Sequence, residues 1–265
     1  MIPRRWLQNA RVAYSAFVMT LRMNAPDAFV LFTILVQPLL IAVMAMWMLV
    51  ERGAANALYV VIGSGMTGLW STLLFMGGNS INWERWTGTL ELMVGQPTPV
   101  SVIVFGKNAA VVFQSLLSMV GSYAVAAVLF HQSLVIEQPL LFAISLALTT
   151  VAFVSFGLVI APMFLLSPAV QHFQNAMEFP IYMLCGFLFP IALLPGWTTP
   201  ISYLLAPYWA ARALHGTSTG GASLPEVLSE WGMMLLLSAI YLAVSGRLTV
   251  LMLNRARADA SLRLE

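Results

Sequence analysis

Residues 28–50 read AFVLFTILVQPLLIAVMAMWMLV, a run of 23 residues without a charged side chain. A helix of about 20 apolar residues crosses the hydrocarbon core of a bilayer, so this stretch predicts a membrane-spanning helix. Similar runs recur along the chain, and no soluble-looking block separates them. With 60% hydrophobic and 8% charged residues, the chain would expose too much apolar surface in water. Its natural environment is therefore a lipid bilayer.

The apolar runs predict an all-α, polytopic membrane protein with six transmembrane helices in a single domain, residues 1–265. The predicted spans are Ala28 to Val50, Ala57 to Asn79, Asn108 to Phe130, Pro139 to Leu166, Gln174 to Leu194 and Trp231 to Leu253. Residues 1–27 differ, because their apolar side chains follow one helical face while Arg4, Arg11 and Arg22 gather on one flank. This pattern predicts an amphipathic helix that either lies at the membrane interface or packs on the protein.

Basic residues indicate the orientation, since the cytoplasmic segments of membrane proteins carry the excess of Lys and Arg. If both termini are cytoplasmic, only Arg52 and Arg212 of the 12 basic residues fall outside. The segment around Trp197 to Leu214 then lies outside, where we expect short re-entrant helices. Pro195 and Pro200 prevent that segment from forming a continuous span.

Charge and residue types exclude several function classes. A net charge of +2 does not suggest a nucleic-acid partner, and Cys185 alone cannot form an internal disulfide. The acidic and histidine residues scatter, so we expect no catalytic site and no metal site. No Gly-rich segment ends in Lys followed by Ser or Thr, as a nucleotide-binding loop requires. Residues 63–68, GSGMTG, resemble a dinucleotide fingerprint, but inside a span they predict close helix packing instead.

Residues 81–99 interrupt the apolar pattern on the predicted cytoplasmic side. Their spacing predicts a short amphipathic helix along the inner membrane surface, which the glycine and prolines of residues 95–99 end. The predicted membrane-facing residues are Trp83, Trp86, Leu90 and Met93. The opposite face carries Glu84, Gly88 and Glu91, with Arg85 beside them. Such a helix either connects two spans or offers a rigid charged surface to a cytoplasmic partner.

Two blocks of sequence resemble type 2 ABC exporter permeases. The first block is Glu84-Arg85-Trp86-Thr87-Gly88-Thr89-Leu90-Glu91, then Pro97-Thr98-Pro99 and Gly106-Lys107. The second block is Gly186, Phe189-Pro190, Leu194-Pro195, Trp197 and Pro207-Tyr208. Cys185 departs from the family pattern, since many relatives carry a small hydroxyl residue there. The resemblance covers nearly the whole chain.

The resemblance implies a permease that exports an amphipathic or lipid-like cargo, such as a drug, natural product or lipid-linked glycan, across the bacterial cytoplasmic membrane. Residues 81–99 would hold the coupling helix, which docks on an ABC ATP-binding subunit through Glu84, Arg85, Gly88, Thr89 and Glu91. The extracellular gate region would contain Phe189, Pro190, Pro195 and Trp197. The expected partners are two ATP-binding subunits, which bind ATP and Mg²⁺, a second permease copy in a homodimer or heterodimer, and membrane lipid. The chain itself would hold no cofactor and would not hydrolyse ATP.

The start of the predicted fifth span carries polar residues, which are costly inside a membrane. Gln171, Asn175 and Glu178 fall on one helical face, with His172 and Gln174 nearby. They either line a translocation path or gate between two permease copies, or form a buried hydrogen-bonding cluster. A different function also stays open, namely a stand-alone secondary transporter or channel with Glu178 and His172 as a proton relay. That protein would work without an ATPase and would lose all activity on Glu178→Gln.

Overall fold

The structure is a computed structural model that describes residues 2–50, 57–131, 134–166 and 174–258. In these ranges the regular elements are helices, and no strand is present. The α-helices are α1 (Ile2–Asn24), α2 (Ala28–Leu31), α3 (Gln37–Val50), α4 (Ala57–Thr72), α5 (Ser80–Trp86), α6 (Leu90–Val94), α7 (Val100–Leu129), α8 (Pro139–Leu166), α9 (Gln174–Leu184), α10 (Thr199–Tyr203), α11 (Ala206–Thr219) and α12 (Leu224–Ala258). Two π-helical turns (Phe32–Val36, Leu73–Gly77) and two 3₁₀ turns (Ile191–Leu193, Gly196–Thr198) accompany them.

Five helical segments of the described residues are long and apolar enough to cross a membrane, which confirms the all-α polytopic fold. These segments are Ala28–Met48, Ala57–Trp86, Val100–Leu129, Pro139–Phe164 and Leu224–Arg255. The third predicted span begins earlier than expected, at Val100 instead of Asn108. The last begins at Leu224 instead of Trp231. Apolar runs alone do not predict either start, because the helices include charged residues that form ion pairs, Lys107 and Glu230.

The predicted span from Gln174 to Leu194 differs most from the structure. Helix α9 ends at Leu184, and residues 167–173 lie outside the described residues. Gly186 adopts a φ of +67° and its amide donates to the carbonyl oxygen of Met183, while the Phe187 amide donates to that of Tyr182. This pair of hydrogen bonds around a left-handed glycine closes a helix. A continuous helix to Leu194 is therefore wrong, and the count of six spans stays a prediction.

Helix α4 lies at the centre of the bundle, and nearly all of its residues are buried. Helices α3 and α7 pack directly on it. A Cβ atom at Gly63 would overlap the carbonyl oxygen of Phe187, and one at Gly65 would overlap the Met119 side chain. The glycines therefore permit close approach, which confirms the packing prediction for residues 63–68.

Helix α1 packs along α7, so the predicted N-terminal helix exists and one of its faces contacts the protein. A Cβ atom at Gly106 of α7 would overlap the carbonyl oxygen of Ala13, which means that the two backbones touch. The ring centroids of Phe17 and Phe113 lie 5.8 Å apart. Trp6 remains exposed, and its place at a membrane interface stays a prediction.

The two ends of the bundle carry different structures. Helices α5 and α6 lead into the start of α7 at one end. At the other end, beyond the last residue of α7, the Glu137 amide donates to the carbonyl oxygen of Ser218 and the Gln138 amide to that of Thr217. Helix α11 therefore ends beside the start of α8. We name these the inner end and the outer end, after the predicted topology.

Candidate functional site

The inner loop, defined as residues 80–99, contains two short helices instead of one amphipathic helix. The chain turns between α5 and α6 at Gly88, whose φ of +72° lies in the left-handed region that favours glycine. The predicted continuous helix from Trp83 to Met93 is therefore wrong, because a left-handed residue interrupts the backbone hydrogen bonds of an α-helix.

The apolar side chains of the inner loop divide into two groups. Leu90 and Met93 are buried in a cluster with residues of α7, α8 and α12. Trp83 and Trp86 are each 52% exposed, and their ring centroids lie 6.2 Å apart. The single membrane-facing stripe is thus replaced by a buried anchor and an exposed tryptophan pair.

Glu84 does not belong to an open charged face. Its carboxylate accepts hydrogen bonds from Lys107 Nζ in α7 and from Thr89 Oγ1. The side chains of Lys107 and Glu84 are only 19% and 20% exposed, so solvent screens this ion pair less than a surface pair. The pair fastens α5 to the second turn of α7.

Other predicted docking residues do reach the surface. Glu91 and Gly88 are exposed, and no neighbouring atom lies within 4 Å of a Cβ atom built at Gly88. Arg85 is half-buried, with a buried Nε that makes no hydrogen bond in the described structure. With the tryptophan pair these residues form the exposed loop surface, defined as Trp83, Arg85, Trp86, Gly88 and Glu91.

Glu178 lies inside the bundle, where only 7% of its surface is exposed. One carboxylate oxygen, Oε1, accepts three hydrogen bonds. The donors are Gln37 Nε2 at 2.7 Å, Ser71 Oγ at 2.6 Å and the Tyr182 hydroxyl at 2.7 Å. Because these donors belong to α3, α4 and α9, the carboxylate connects three helices. Of the two readings left open by the sequence, this geometry matches the buried hydrogen-bonding cluster.

The predicted polar face of α9 is not assembled as expected. Asn175 is exposed and so does not share the buried side of α9 with Glu178. Gln171 and His172 lie outside the described residues. Gln174, which the sequence places near this face, is buried, and its side chain hydrogen-bonds to the segment that follows α4.

The residues predicted for the extracellular gate lie in the loop between α9 and α10, at the outer end. Phe189 is half-buried, whereas Pro190, Pro195 and Trp197 are exposed. Pro190 and Pro195 each precede one of the two 3₁₀ turns. The inner loop, Glu178 and this outer loop are three separate sites along the bundle.

An outer cavity of about 380 Å³ adjoins this loop. Its walls come from α4, the loop between α9 and α10, α11, the loop between α11 and α12, and the start of α12. Arg212 Nε lies 3.1 Å from Glu230 Oε1, and the guanidinium lies 5.9 Å from the Tyr208 ring centroid. The cavity therefore brings together charges from helices α11 and α12.

A histidine occupies the same wall. The ring of His215 stacks on that of Tyr59, with centroids 3.7 Å apart, and its Nε2 lies 3.2 Å from the carbonyl oxygen of Phe187. Burial lowers the pKa of His215 to about 4, although the hydrogen bond to Phe187 raises it. The imidazole is consequently neutral at pH 7.

Comparison with known families identifies the chain. It matches the family described as ABC-2 type transporter over residues 18–218, which is more than half of its 265 residues. The chain belongs to the ABC-2 type transporter family. The resemblance to type 2 ABC permeases is thereby confirmed. A comparison with curated proteins finds no match.

The ABC-2 family is the membrane permease component of ABC transporters, distinct from the ATPase, and typically pairs with an ABC ATP-binding subunit. This ABC-2 chain, with its apolar helices, is a multi-pass membrane protein and a permease subunit of an ABC transporter. Among its described residues, no three His, Cys, Asp or Glu side chains lie close enough to hold a metal ion.

Sequence reasoning missed two ion pairs of this ABC-2 permease. In the sequence, Lys107 stands out only as part of the family motif, and the resemblance assigns its partner Glu84 to a docking face. Glu230 lies just outside the last predicted span, although it pairs with Arg212. A usable signal did exist, because isolated charges in apolar segments are costly unless they are paired.

Proposed function

We propose that this ABC-2 permease is one half of an exporter that moves an amphipathic or lipid-like cargo outward across a bacterial cytoplasmic membrane. Two ATP-binding subunits that hold ATP and Mg²⁺ supply the energy, and a second permease copy, identical or homologous, completes the passage. Both termini and the inner loop face the cytoplasm. Family membership supports the permease role, and the arrangement of the inner loop supports the coupling mechanism.

The observation that supports the proposal is that the exposed loop surface lies on residues that are fixed to the bundle. The exposed loop surface is open around Gly88 and holds two tryptophans and a carboxylate. Directly beneath it, Leu90 and Met93 are buried, and Glu84 is tied to Lys107 of α7. A partner that presses on this surface therefore displaces α7, because the loop cannot absorb the movement alone.

The docking residues take two roles in this proposal. Arg85, Gly88 and Glu91 contact the ATP-binding subunit. Glu84 and Thr89 position the loop, since their side chains bond to each other and Glu84 bonds to Lys107. Sequence reasoning had assigned all five predicted residues to the contact.

Exposed apolar side chains support an amphipathic cargo. Leu40 and Met44 of α3 are exposed, as are Phe179 and Met183 of α9. The hydrogen bond between Gln37 and Glu178 holds these two helices together. Such a surface faces lipid or a second permease copy, and a passage lined by it favours apolar chains over free ions.

The alternative of a stand-alone transporter with a Glu178 and His172 relay has no supporting contact in the described residues. Glu178 Oε1 is already occupied by three donors, and His172 lies outside the described residues. A path or gate role for Gln171 and Asn175 stays a prediction. We assign Glu178 to helix packing.

Co-purification of the tagged permease with its ATP-binding subunit tests the docking surface. Gly88→Val combined with Glu91→Ala should reduce recovery of the ATP-binding subunit at least tenfold. Valine strains the left-handed turn and fills the open space, and the second change removes a charge. Lys107→Met should leave recovery within about twofold but lower ATP-driven transport, because it cuts the tie to α7. Glu137→Gln, an exposed carboxylate change at the outer end, is the matched control.

Full recovery with the double variant would place the docking surface elsewhere. Loss of recovery in Lys107→Met would mean that the ion pair shapes the contact and does not merely transmit force. Export is tested separately in inverted vesicles, where ATP added outside should drive cargo inward into the lumen. ATP-driven loss of preloaded cargo from the same vesicles would contradict export.

A further inference from the structure

Two residues of the outer cavity lining each carry a buried atom that makes no hydrogen bond within the described residues, Nδ1 of His215 and Oε2 of Glu230. The two residues are 8% and 3% exposed, and both line the cavity. Buried polar atoms are nearly always hydrogen-bonded in proteins, because an unsatisfied one loses its hydration without compensation. Two such atoms on the lining of one cavity indicate a place where a hydrogen-bonding group is favourable.

Both atoms are acceptors. The carbonyl oxygen of Phe187 can only accept, so Nε2 of His215 carries the ring proton and donates to it. The low pKa of about 4 keeps the ring neutral, which leaves a bare lone pair on Nδ1. Glu230 uses Oε1 for Arg212, and its Oε2 stays available as an acceptor. A group that satisfies these two atoms must therefore donate hydrogen bonds.

The charged residues of the cavity lining restrict the class of ligand further. The formal charges on the cavity lining are Glu226 and Glu230 against Arg212, an excess of one negative charge. Glu226 is held at the rim, where its Oε2 accepts from the backbone amide and the hydroxyl of Ser223. A group that donates hydrogen bonds and carries a positive charge matches both the acceptors and the electrostatics.

We propose that the outer cavity binds a primary ammonium group, which donates hydrogen bonds to Oε2 of Glu230 and Nδ1 of His215. An ammonium offers three donors and no acceptor, so its hydrogen-bonding capacity matches two acceptors. A quaternary ammonium of equal charge cannot do so, because it lacks N–H groups. The cavity volume of about 380 Å³ is within the usual range for small-molecule sites. Soluble amines and ethanolamine headgroups of phospholipids offer the same chemistry, and the site does not depend on the direction of transport.

Ethanolamine and choline form a matched pair of probes, since they share charge and hydroxyl group but differ in N–H donors. The full-length chain in phosphatidylcholine nanodiscs is titrated with each probe, and binding is followed by saturation-transfer NMR. A ligand of four non-hydrogen atoms binds no tighter than roughly tens of micromolar, so the titration extends to about 50 mM. Ethanolamine should bind at least tenfold more tightly than choline.

Two variants test the acceptors. Glu230→Gln keeps an oxygen for Arg212 but removes the charge, and it should weaken ethanolamine binding about ten- to a hundredfold. His215→Phe keeps an aromatic ring on Tyr59 and removes Nδ1, and it should weaken binding about tenfold. The two variants are independent, so misfolding of one leaves the other decisive. Glu137→Gln, a carboxylate outside the cavity lining, should bind ethanolamine within about twofold of the unsubstituted chain.

A second set of nanodiscs, which contains phosphatidylethanolamine, distinguishes soluble amines from lipid headgroups as the ligand. If phosphatidylethanolamine weakens the binding of added ethanolamine, the lipid headgroup occupies the cavity, whereas unchanged binding assigns the cavity to soluble amines. Equal affinities for ethanolamine and choline would overturn the proposal, as would no detectable ethanolamine binding. Ethanolamine binding that survives both cavity variants would overturn it too. In each of these cases water would satisfy the two acceptors.

Discussion

Replacing Glu178 by Gln and by Leu separates a packing role from a charge-based role. All three hydrogen bonds to Glu178 end on one oxygen, Oε1. A glutamine retains an oxygen at this position and loses only the charge. A leucine fills a similar volume and accepts nothing. The two variants therefore share their loss of charge and differ in hydrogen bonding.

The hydrogen bonds of Glu178 determine how much each variant should change the free energy of unfolding. In Glu178→Gln, each bond loses its charge assistance, but the cost of burying an ion disappears as well, so we expect a change within about 1 kcal/mol. In Glu178→Leu, Ser71 and Tyr182 can still bond to each other, while the Gln37 amide loses its acceptor. A buried donor without a partner costs about 1–3 kcal/mol, and the remaining lost bonds bring the total to about 2–4 kcal/mol.

The free energy of unfolding is measured in mixed micelles by titration with a denaturing detergent, with tryptophan fluorescence as the signal. Transport is measured in vesicles with the ATP-binding subunit present. We expect Glu178→Gln to keep both stability and transport, and Glu178→Leu to lose stability. A folded Glu178→Gln variant without transport would refute the packing role, because the charge itself would then be needed in the cycle.

Two further outcomes test other parts of the fold. Gly106→Leu should detach α1 from α7, because even a Cβ atom at this position overlaps the carbonyl oxygen of Ala13, and protease cleavage within α1 should accelerate. The control is Gly246→Leu, since no atom lies within 4 Å of a Cβ atom added there. Equal cleavage in both variants would contradict the packing of α1 on α7. Because the pKa of His215 falls from its ordinary 6.5 to about 4 on folding, the stability that its neutral ring contributes is complete above about pH 6.5. It should be lost as the pH falls toward 4, by about 3 kcal/mol in total. His215→Phe should flatten the unfolding free energy across this window, and an unchanged slope would show that other groups cause it.

Apolar runs predicted the membrane-spanning helices well, because only a helix satisfies its own backbone in lipid. Helix ends were less predictable where charged residues belong to the helix. Lys107 and Glu230 looked like residues outside a span, yet their partners lie 23 and 18 positions away in the chain. Sequence periodicity contains no information about such pairs.

For the candidate sites too, the sequence predicts features that depend on neighbouring residues and misses those that depend on backbone conformation or distant residues. The glycines of residues 63–68 indicated close packing from local spacing alone, and the structure agrees. The break at Gly88 and the helix end at Gly186 depend on left-handed backbone, which helical spacing does not reveal. The outer cavity combines Tyr59 with residues of α11 and α12, so only the tertiary fold brings it together.

The adjacent residues Gly106 and Lys107 face two different elements, α1 and the inner loop. Any displacement of α7 at this level is therefore transmitted to α1, because the two helices touch at Gly106. If the ATP-binding subunits move α7 as proposed, a spin label on the exposed surface of α1 should detect that movement. It would report the motion from a helix that lies outside the exposed loop surface.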